Sequence, residues 1–405
     1  MPAVLALFLG YVMSMFYRSF LAIVAQDLGR DLGFGAAELS SLSSAWLITF
    51  ALSQIPLGTA LDRFGVGRTV AACSFLTVVG ATLFAVSQNF TVSLIAMAAI
   101  GAGCAANLMG ATVHVALNFP PQRFAWMLAI LISAGSLGQL LGATPLALAS
   151  EAFGWRPTML ATAVLSFISA LAVLLTVRDK TTPARREGAR AGILTGALRI
   201  AGLPALRWML PVIFTSYAVV ISERSLWIGP YLAEVHGLDP VSIGNAALAM
   251  SVLMACGALA FGPAERILHG PKMPALGASI IVGLTFVVLG IWQGIDALRA
   301  IALLGIIGFF GLSYGSLMAH ARLFIPDTLI GVGATFINFV FMSGAGLVQF
   351  LSGVFVARAE AAGVDASHRY AFLHMGFGVL LLATAAVYVR APRRPMGEAD
   401  ALPAQ

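Results

Sequence analysis

Charge is scarce in this sequence. Only 10% of its 405 residues are Asp, Glu, Lys or Arg, whereas 60% are hydrophobic. A soluble chain covers its surface with about a quarter charged residues. Water is therefore excluded as the main solvent, and a soluble enzyme with it. Cysteine is nearly missing too. Cys73, Cys104 and Cys256 all fall in apolar runs without a CxxC spacing, which argues against a disulfide framework or a thiolate metal site. No Ser/His/Asp set, zinc motif, phosphate loop or dinucleotide fingerprint stands in a suitable context. An enzyme is not expected, nor a bound cofactor or metal. A cleavable signal is not expected either, because the first apolar run lacks a basic leader, is too long, and is interrupted by Arg18.

What the chain has is lipid-compatible length. Mean hydropathy is +0.94, and apolar runs of about 20 residues, enough to cross a bilayer, fall near 3–26, 39–58, 66–87, 90–117, 124–149, 155–177, 207–233, 241–261, 273–293, 298–325, 330–357 and 368–389. The runs are continuously apolar instead of alternating, which selects helices over barrel strands. The sequence therefore predicts an all-α membrane protein with twelve transmembrane helices in two pseudo-symmetric six-helix bundles.

The net charge of +6 does not indicate nucleic acid, because the basic residues sit in alternate loops. One side holds Arg63, Arg68, Arg123, Arg178, Lys180, Arg185, Arg186, Arg190, Arg199, Arg207, Arg266, Lys272, Arg390, Arg393 and Arg394. The other holds Arg30, Arg156, Arg299, Arg358 and Arg369. This asymmetry predicts both termini in the cytoplasm, in a bacterial inner membrane. The domains expected are a first bundle at 1–178, a cytoplasmic linker at 179–206 with a basic face toward anionic lipid, a second bundle at 207–390, and a disordered tail at 391–405.

The halves repeat. Arg18-Ser19-Phe20 lines up with Arg224-Ser225-Leu226, and Ser133-Ala-Gly135-Ser-Leu-Gly138-Gln139 with Ser343-Gly-Ala-Gly346-Leu-Val-Gln349. Two repeated halves around a midplane site is a transporter plan. Between segments two and three, Gly58-x-x-x-Asp62-Arg63-x-Gly65-x-x-Arg68 resembles the signature loop of the major facilitator superfamily, and a weaker counterpart runs from Gly262 to Lys272. The resemblance covers about residues 3–390. It implies rocker-switch transport, helices 1, 4, 7 and 10 along the path, and a conformational latch at Gly58, Asp62, Arg63, Gly65 and Arg68. The alternative is a simple tight turn with positive-inside charges.

Charges within the membrane are expensive, at roughly 2.5–3.5 kcal/mol each on insertion scales, and mark functional sites. Arg18 and Arg224 lie about fifteen residues into helices running the same way, hence at similar depth. A guanidinium fork there holds a carboxylate or phosphate bidentately. The alternative is a buried ion pair of Glu223 with either arginine, but one carboxylate cannot neutralise two guanidiniums. The arrangement resembles superfamily members that carry organic anions or organic phosphates, with Tyr17-Arg18 and Arg224 as the matching positions. Glu223 beside Arg224 departs from that pattern.

Glu223 is the candidate proton carrier, with His114 second and His320 weaker. The alternative for His114 is a hydrogen-bonded core histidine. Asn107, Gln139, Tyr314 and Gln349, with Gln54 and Asn338, are candidates to line a cavity, and Tyr17 and Trp227 to stack on a substrate. For these aromatics packing is the alternative. The sequence thus predicts a monomeric, proton-coupled carrier of a small organic anion, with membrane lipid as its other partner. Two alternatives stand. One is a drug or metabolite efflux pump, although segment five reads Gly142-Ala143-Thr144-Pro145 where drug antiporters carry Gly-Pro-x-x-Gly-Gly. The other is a copper importer using Met250-x-x-x-Met254 and His269-x-x-x-Met273.

Overall fold

The computed structural model of the chain describes residues 2–119, 121–179, 199–292, 294–326 and 330–393. These form twelve helical passes. In the first half they are α1 (Pro2–Ser19 continued by Leu21–Leu32), α2 (Ala36–Phe64), α3 (Val66–Val86), α4 (Phe90–Cys104 and Ala106–Asn118), α5 (Pro121–Leu141 and Thr144–Phe153) and α6 (Trp155–Thr176). In the second half they are α7 (Leu206–Ser222, Glu223–Trp227 and Ile228–His236), α8 (Pro240–Ile267), α9 (Lys272–Ile291), α10 (Ala297–Gly311 and Tyr314–Arg322), α11 (Ile330–Ala361) and α12 (Ala366–Tyr388). Ten of the passes are long and apolar enough to cross a membrane; α2 and α5 complete the twelve. Most of the linker expected at 179–206, and most of the tail expected at 391–405, lie outside the described residues.

The packing is duplicated. In the first half α1 packs on α5 and α6, α3 on α4 and α6, and α2 on α4. Each relation recurs six passes later: α7 on α11 and α12, α9 on α10 and α12, α8 on α10. The halves meet along α2 against α11 and α5 against α8, a reciprocal pair of seams. An even number of passes puts the start of α1 and the end of α12 on one side, called here the terminal face; the other is the far face.

Passes 1, 4, 7 and 10 are each interrupted, as is pass 5 between Leu141 and Thr144, which lipid permits only where protein or a polar path receives the freed backbone. In α1 the Ser19 hydroxyl bonds back to the Met15 and Phe16 carbonyls, competing with the helical ladder. In α7 the Gly229-Pro230 pair lies behind the break. Pro230 has no N–H to return to the preceding turn, and just upstream the Ile228 N–H reaches back five residues to the Glu223 carbonyl, making a π turn over Glu223–Trp227. Such turns concentrate at functional sites.

At the terminal face two caps lock α3 to α6 and α9 to α12. The Asp179 carboxylate accepts from the Gly67 and Arg68 backbone N–H groups at 2.6 and 3.2 Å, placing negative charge on the N-terminus of α3. Any side chain at Gly65 or Gly67 would strike Asp179 or the Val177 carbonyl, so these glycines of the signature loop seat that cap. In the second half the polarity is reversed. Lys272 at the start of α9 donates to the Val389 and Ala391 carbonyls at 2.8 and 2.6 Å, beyond the end of α12. Asp179→Ala is expected to lower unfolding stability by about 1–2 kcal/mol, and Lys272→Met by about 2–3 kcal/mol. Thermal unfolding of the purified variants in lipid measures both; unchanged midpoints would remove the cap assignment.

Candidate functional site

Arg18 stands in the last turn of the first segment of α1 and is partly buried. Its guanidinium lies over Trp46 and Phe50 of α2, 5.2 and 5.1 Å from the ring centroids, and these two rings stack on each other at 5.1 Å. Cation–π contact holds the charge without neutralising it. From there Nη1 crosses the bundle boundary and donates to the Tyr217 hydroxyl of α7 at 3.0 Å. Tyr217 packs against Tyr314 of α10 and Phe341 of α11. The Tyr314 hydroxyl donates to Asn338 Oδ1 at 3.0 Å, and Asn338 donates across the boundary to Gln54 Oε1 at 2.7 Å. A polar, aromatic-walled track thus joins α1, α2, α7, α10 and α11.

Arg224 is fully buried. It sits seven residues beyond Tyr217, two turns or about 10 Å along α7 toward the far face. The π turn aims it at α8, where Nε donates to the Ser251 hydroxyl at 2.8 Å, and at α5, where Nη2 donates to the Gln139 carbonyl at 3.4 Å. Both arginines therefore reach over the bundle boundary, but at different heights and to different helices. Among the described residues neither has a carboxylate within 4.0 Å, and Arg18 Nε and Arg224 Nη1 have no hydrogen-bond partner. A buried donor left unpaired costs about 1–3 kcal/mol, more when charged.

Glu223 faces elsewhere. The π turn swings it inside the second bundle, where Oε2 stands 3.3 Å from His374 Nε2 of α12, with both side chains 0% exposed. That distance satisfies an ion pair, yet the angles do not make a hydrogen bond, and neither side chain has another hydrogen-bond partner. Tyr231 packs edge-on against the imidazole at 4.7 Å and Phe286 stacks on it at 6.0 Å. The sequence pairing of Glu223 with Arg18 or Arg224 is replaced by this one. His374 is absent from the sequence candidates, although it stands eight residues inside an apolar helix, the same signal that singles out His114.

The other candidates scatter. Tyr17 is buried in the first bundle, its hydroxyl donating to Thr162 Oγ1 at 3.1 Å and lying 3.2 Å from Ser166 Oγ. Asn107 accepts from Ser74 at 3.4 Å and lines a small polar cleft with Ser14, Thr77 and Ser169, within the same bundle. Trp227 donates to Ser352 at 2.9 Å, and Gln349 to Ser225 at 3.2 Å, both wholly inside the second bundle. The Gln139 side chain meets Met15 Sδ at 4.0 Å. His114 contacts Asn118, whose Nδ2 donates to the His114 carbonyl at 2.9 Å. His320 is tied to Tyr388 and the Pro392 carbonyl at 2.7 and 3.0 Å.

In the latch loop Gly58 has open space around it, Arg63 lies over Phe64, and Arg68 is 79% exposed beside Asp179. The Asp62 side chain lies outside the described residues; the carboxylate that meets a helix N-terminus here is Asp179, which the motif does not include. The copper candidates separate as well. Met250 and Met254 are buried against Gly308 of α10, whereas His269 is in the turn before α9 and Met273 meets Arg393.

The Major Facilitator Superfamily family model matches residues 7–349. A hexuronate transporter of Bacillus subtilis is 25% identical over 252 residues, 60% of this chain and 59% of that one. A probable L-galactonate transporter of Escherichia coli is 21% identical over 98% of this chain and 90% of its own length. The multidrug resistance protein MdtG of Dickeya zeae is 28% identical over 64% of this chain and 61% of its own. The alignments with the hexuronate and MdtG relatives thus span about three-fifths of either partner. Among solved structures, the nucleoside transporter NupG superposes with a TM-score of 0.79 at 12% identity, covering 96% of this chain and all of that one. A bacterial homolog of the lysosomal transporter Spinster gives 0.77 at 17% identity, with 96% of each chain covered.

Proposed function

Because the chain belongs to the major facilitator superfamily, and is a multi-pass membrane transporter and not an enzyme, we propose that its cargo is a small polyhydroxy organic acid of the sugar-acid class, carried with a proton by alternating access. The observation that carries this reading is the pair of guanidiniums, Arg18 and Arg224, reaching over the bundle boundary without a carboxylate partner and each with an unpaired nitrogen. A cargo carboxylate at either guanidinium supplies missing charge and acceptors together, and the other, at a different height, is left to meet the cargo hydroxyls. The hydroxyl and amide groups of Tyr217, Tyr314, Asn338 and Gln54 suit cargo hydroxyls, and the names of the hexuronate and galactonate relatives agree with that chemistry.

Proton coupling follows from charge balance in a low-dielectric interior. Buried Arg224 and Glu223 offset one another while the site is empty. A cargo carboxylate arriving at Arg224 leaves Glu223 as excess negative charge, which favours a proton there, so anion and proton bind together. The lysine and arginine asymmetry makes the terminal face cytoplasmic, in the bacterial inner membrane, with one chain as the working unit.

D-glucuronate and L-galactonate are expected to raise the thermal unfolding midpoint of the purified protein, with about 2.7 kcal/mol of stabilisation at a hundredfold excess over Kd. Galactose, which lacks the carboxylate, is expected to leave it unchanged. Equal shifts with the neutral sugar would refute the anion reading. The runner-up is drug efflux, for which the MdtG relative and the aromatic walls of the track speak. Broad drug sensitisation of a deletion strain would favour it.

A further inference from the structure

The Glu223–His374 pair lies off the bundle boundary, so whatever it binds does not arrive beside the cargo. Toward the far face, a cavity of about 160 Å³ opens between the ends of α7, α9 and α12 and is lined by Tyr231, His236, Trp292, Ser367 and Ala371. That volume has room for several waters. Trp292 at its mouth is 45% exposed. Its inner wall reaches the pair by two routes: Ala371 stands one helical turn from His374 on α12, and the Tyr231 ring packs on the His374 imidazole at 4.7 Å. The Tyr231 hydroxyl also lies 3.2 Å from His236 Nε2. His236 and the Tyr231 hydroxyl thus form a pair at the cavity, His374 and Glu223 a second pair in the interior, and the Tyr231 ring on the His374 imidazole brings the two pairs together without a hydrogen bond between them.

We infer that Glu223 and His374 form one proton-binding site and that this side cavity is its access route from the far face, separate from the cargo path at the bundle boundary. The inference rests on the proton-coupled reading above and adds to it the partner residue and the route. A proton taken up on His374 Nε2 passes to the Glu223 carboxylate, which becomes the neutral acid as the imidazole returns to its neutral form. The charged and titratable groups that surround these pairs are Arg224 and Tyr231 on α7, Tyr370 on α12, and Asp296 at the start of α10. Beyond Tyr370 stands the Glu234–Arg369 ion pair at 2.6 Å. The α9 wall contributes the Phe286 ring.

The test needs no cargo. Infrared titration of the protein in lipid nanodiscs is expected to show one buried carboxylic acid band that is lost in Glu223→Gln. Its midpoint should move by about one pH unit or more in His374→Gln. A band that survives Glu223→Gln, or is indifferent to His374→Gln, overturns the pair. Should His374→Gln not fold, Tyr231→Phe, which keeps the ring and removes the hydroxyl next to His236, has to slow the band's response to a pH jump severalfold.

The route is tested with Ser367→Cys in a Cys256→Ser background, since Cys256 is the exposed native thiol among the three cysteines. Labelling with a trimethylammonium thiol reagent should slow the band's response by about tenfold, because a fixed cation at the mouth repels protons. An unchanged rate overturns the route. If the band behaves as expected and D-glucuronate is not taken up, the cargo reading fails and the proton site stands. If D-glucuronate accumulates and the band is absent, the reverse holds.

Discussion

Arg18→Gln and Arg224→Gln are each expected to abolish proton-driven uptake of D-glucuronate in reconstituted vesicles, with a loss of about a hundredfold or more, while both proteins still reach the membrane. A charge-assisted bidentate contact in a desolvated site is worth about 3 kcal/mol or more when one partner is truncated, which is that factor. The two variants should differ in stability. Arg18 is held by ring faces and one hydroxyl, and glutamine leaves no acid stranded. Arg224 offsets buried Glu223, so its loss leaves that carboxylate with His374 as its only near partner among the described residues and should lower the unfolding midpoint, an effect relieved in the Arg224→Gln/Glu223→Gln double variant. Normal uptake by Arg18→Gln would remove the anion site, since nothing else in the reading then requires a guanidinium there.

Gly229→Val is expected to stop transport by a different means. A Cβ at Gly229 would fall on the Ala22 carbonyl oxygen, where α7 meets α1 toward the far face. The obstacle is backbone, so no rotamer change relieves it, and the bundles must part. Gly353 of α11 repeats the situation against Ser40 of α2, where a Cβ would fall on the serine hydroxyl. These close approaches hold the bundles together at the far face in this structure, and bulk there penalises that arrangement. Uptake should fall by about tenfold or more. Spin labels on the far-face ends of α2 and α11 should report a longer distance in Gly229→Val than in the wild type. An unaltered distance with normal uptake would show that the seam yields. Gly353→Ala should act in the same direction, because a Cβ there would meet Ser40 Cβ and the Ala36 carbonyl as well as the hydroxyl.

Much of the architecture was legible because lipid imposes one-dimensional rules. A backbone in hydrocarbon must satisfy its own hydrogen bonds, so twelve apolar runs read directly as twelve helical passes. The Arg18/Arg224 repeat likewise exposed the duplication that the packing relations then display. The signature loop was legible too, but its carboxylate partner was not. Asp179 stands 112 residues from Gly67, and no spacing rule links a cap to a helix so far away in sequence.

The site divides the same way. Apolar length, the intramembrane arginines and the rarity of acids within the runs were properties of the string itself, and they sufficed for a membrane carrier with charges worth explaining. Which way each charge points was decided only in three dimensions. A one-residue widening of α7 behind Gly229-Pro230 sends Arg224 to the bundle boundary and its neighbour Glu223 to His374, 151 positions later in the chain. Adjacent residues acquire different partners because a helix distributes its side chains by rotation about an axis, and only the packing of other helices determines what stands in each direction.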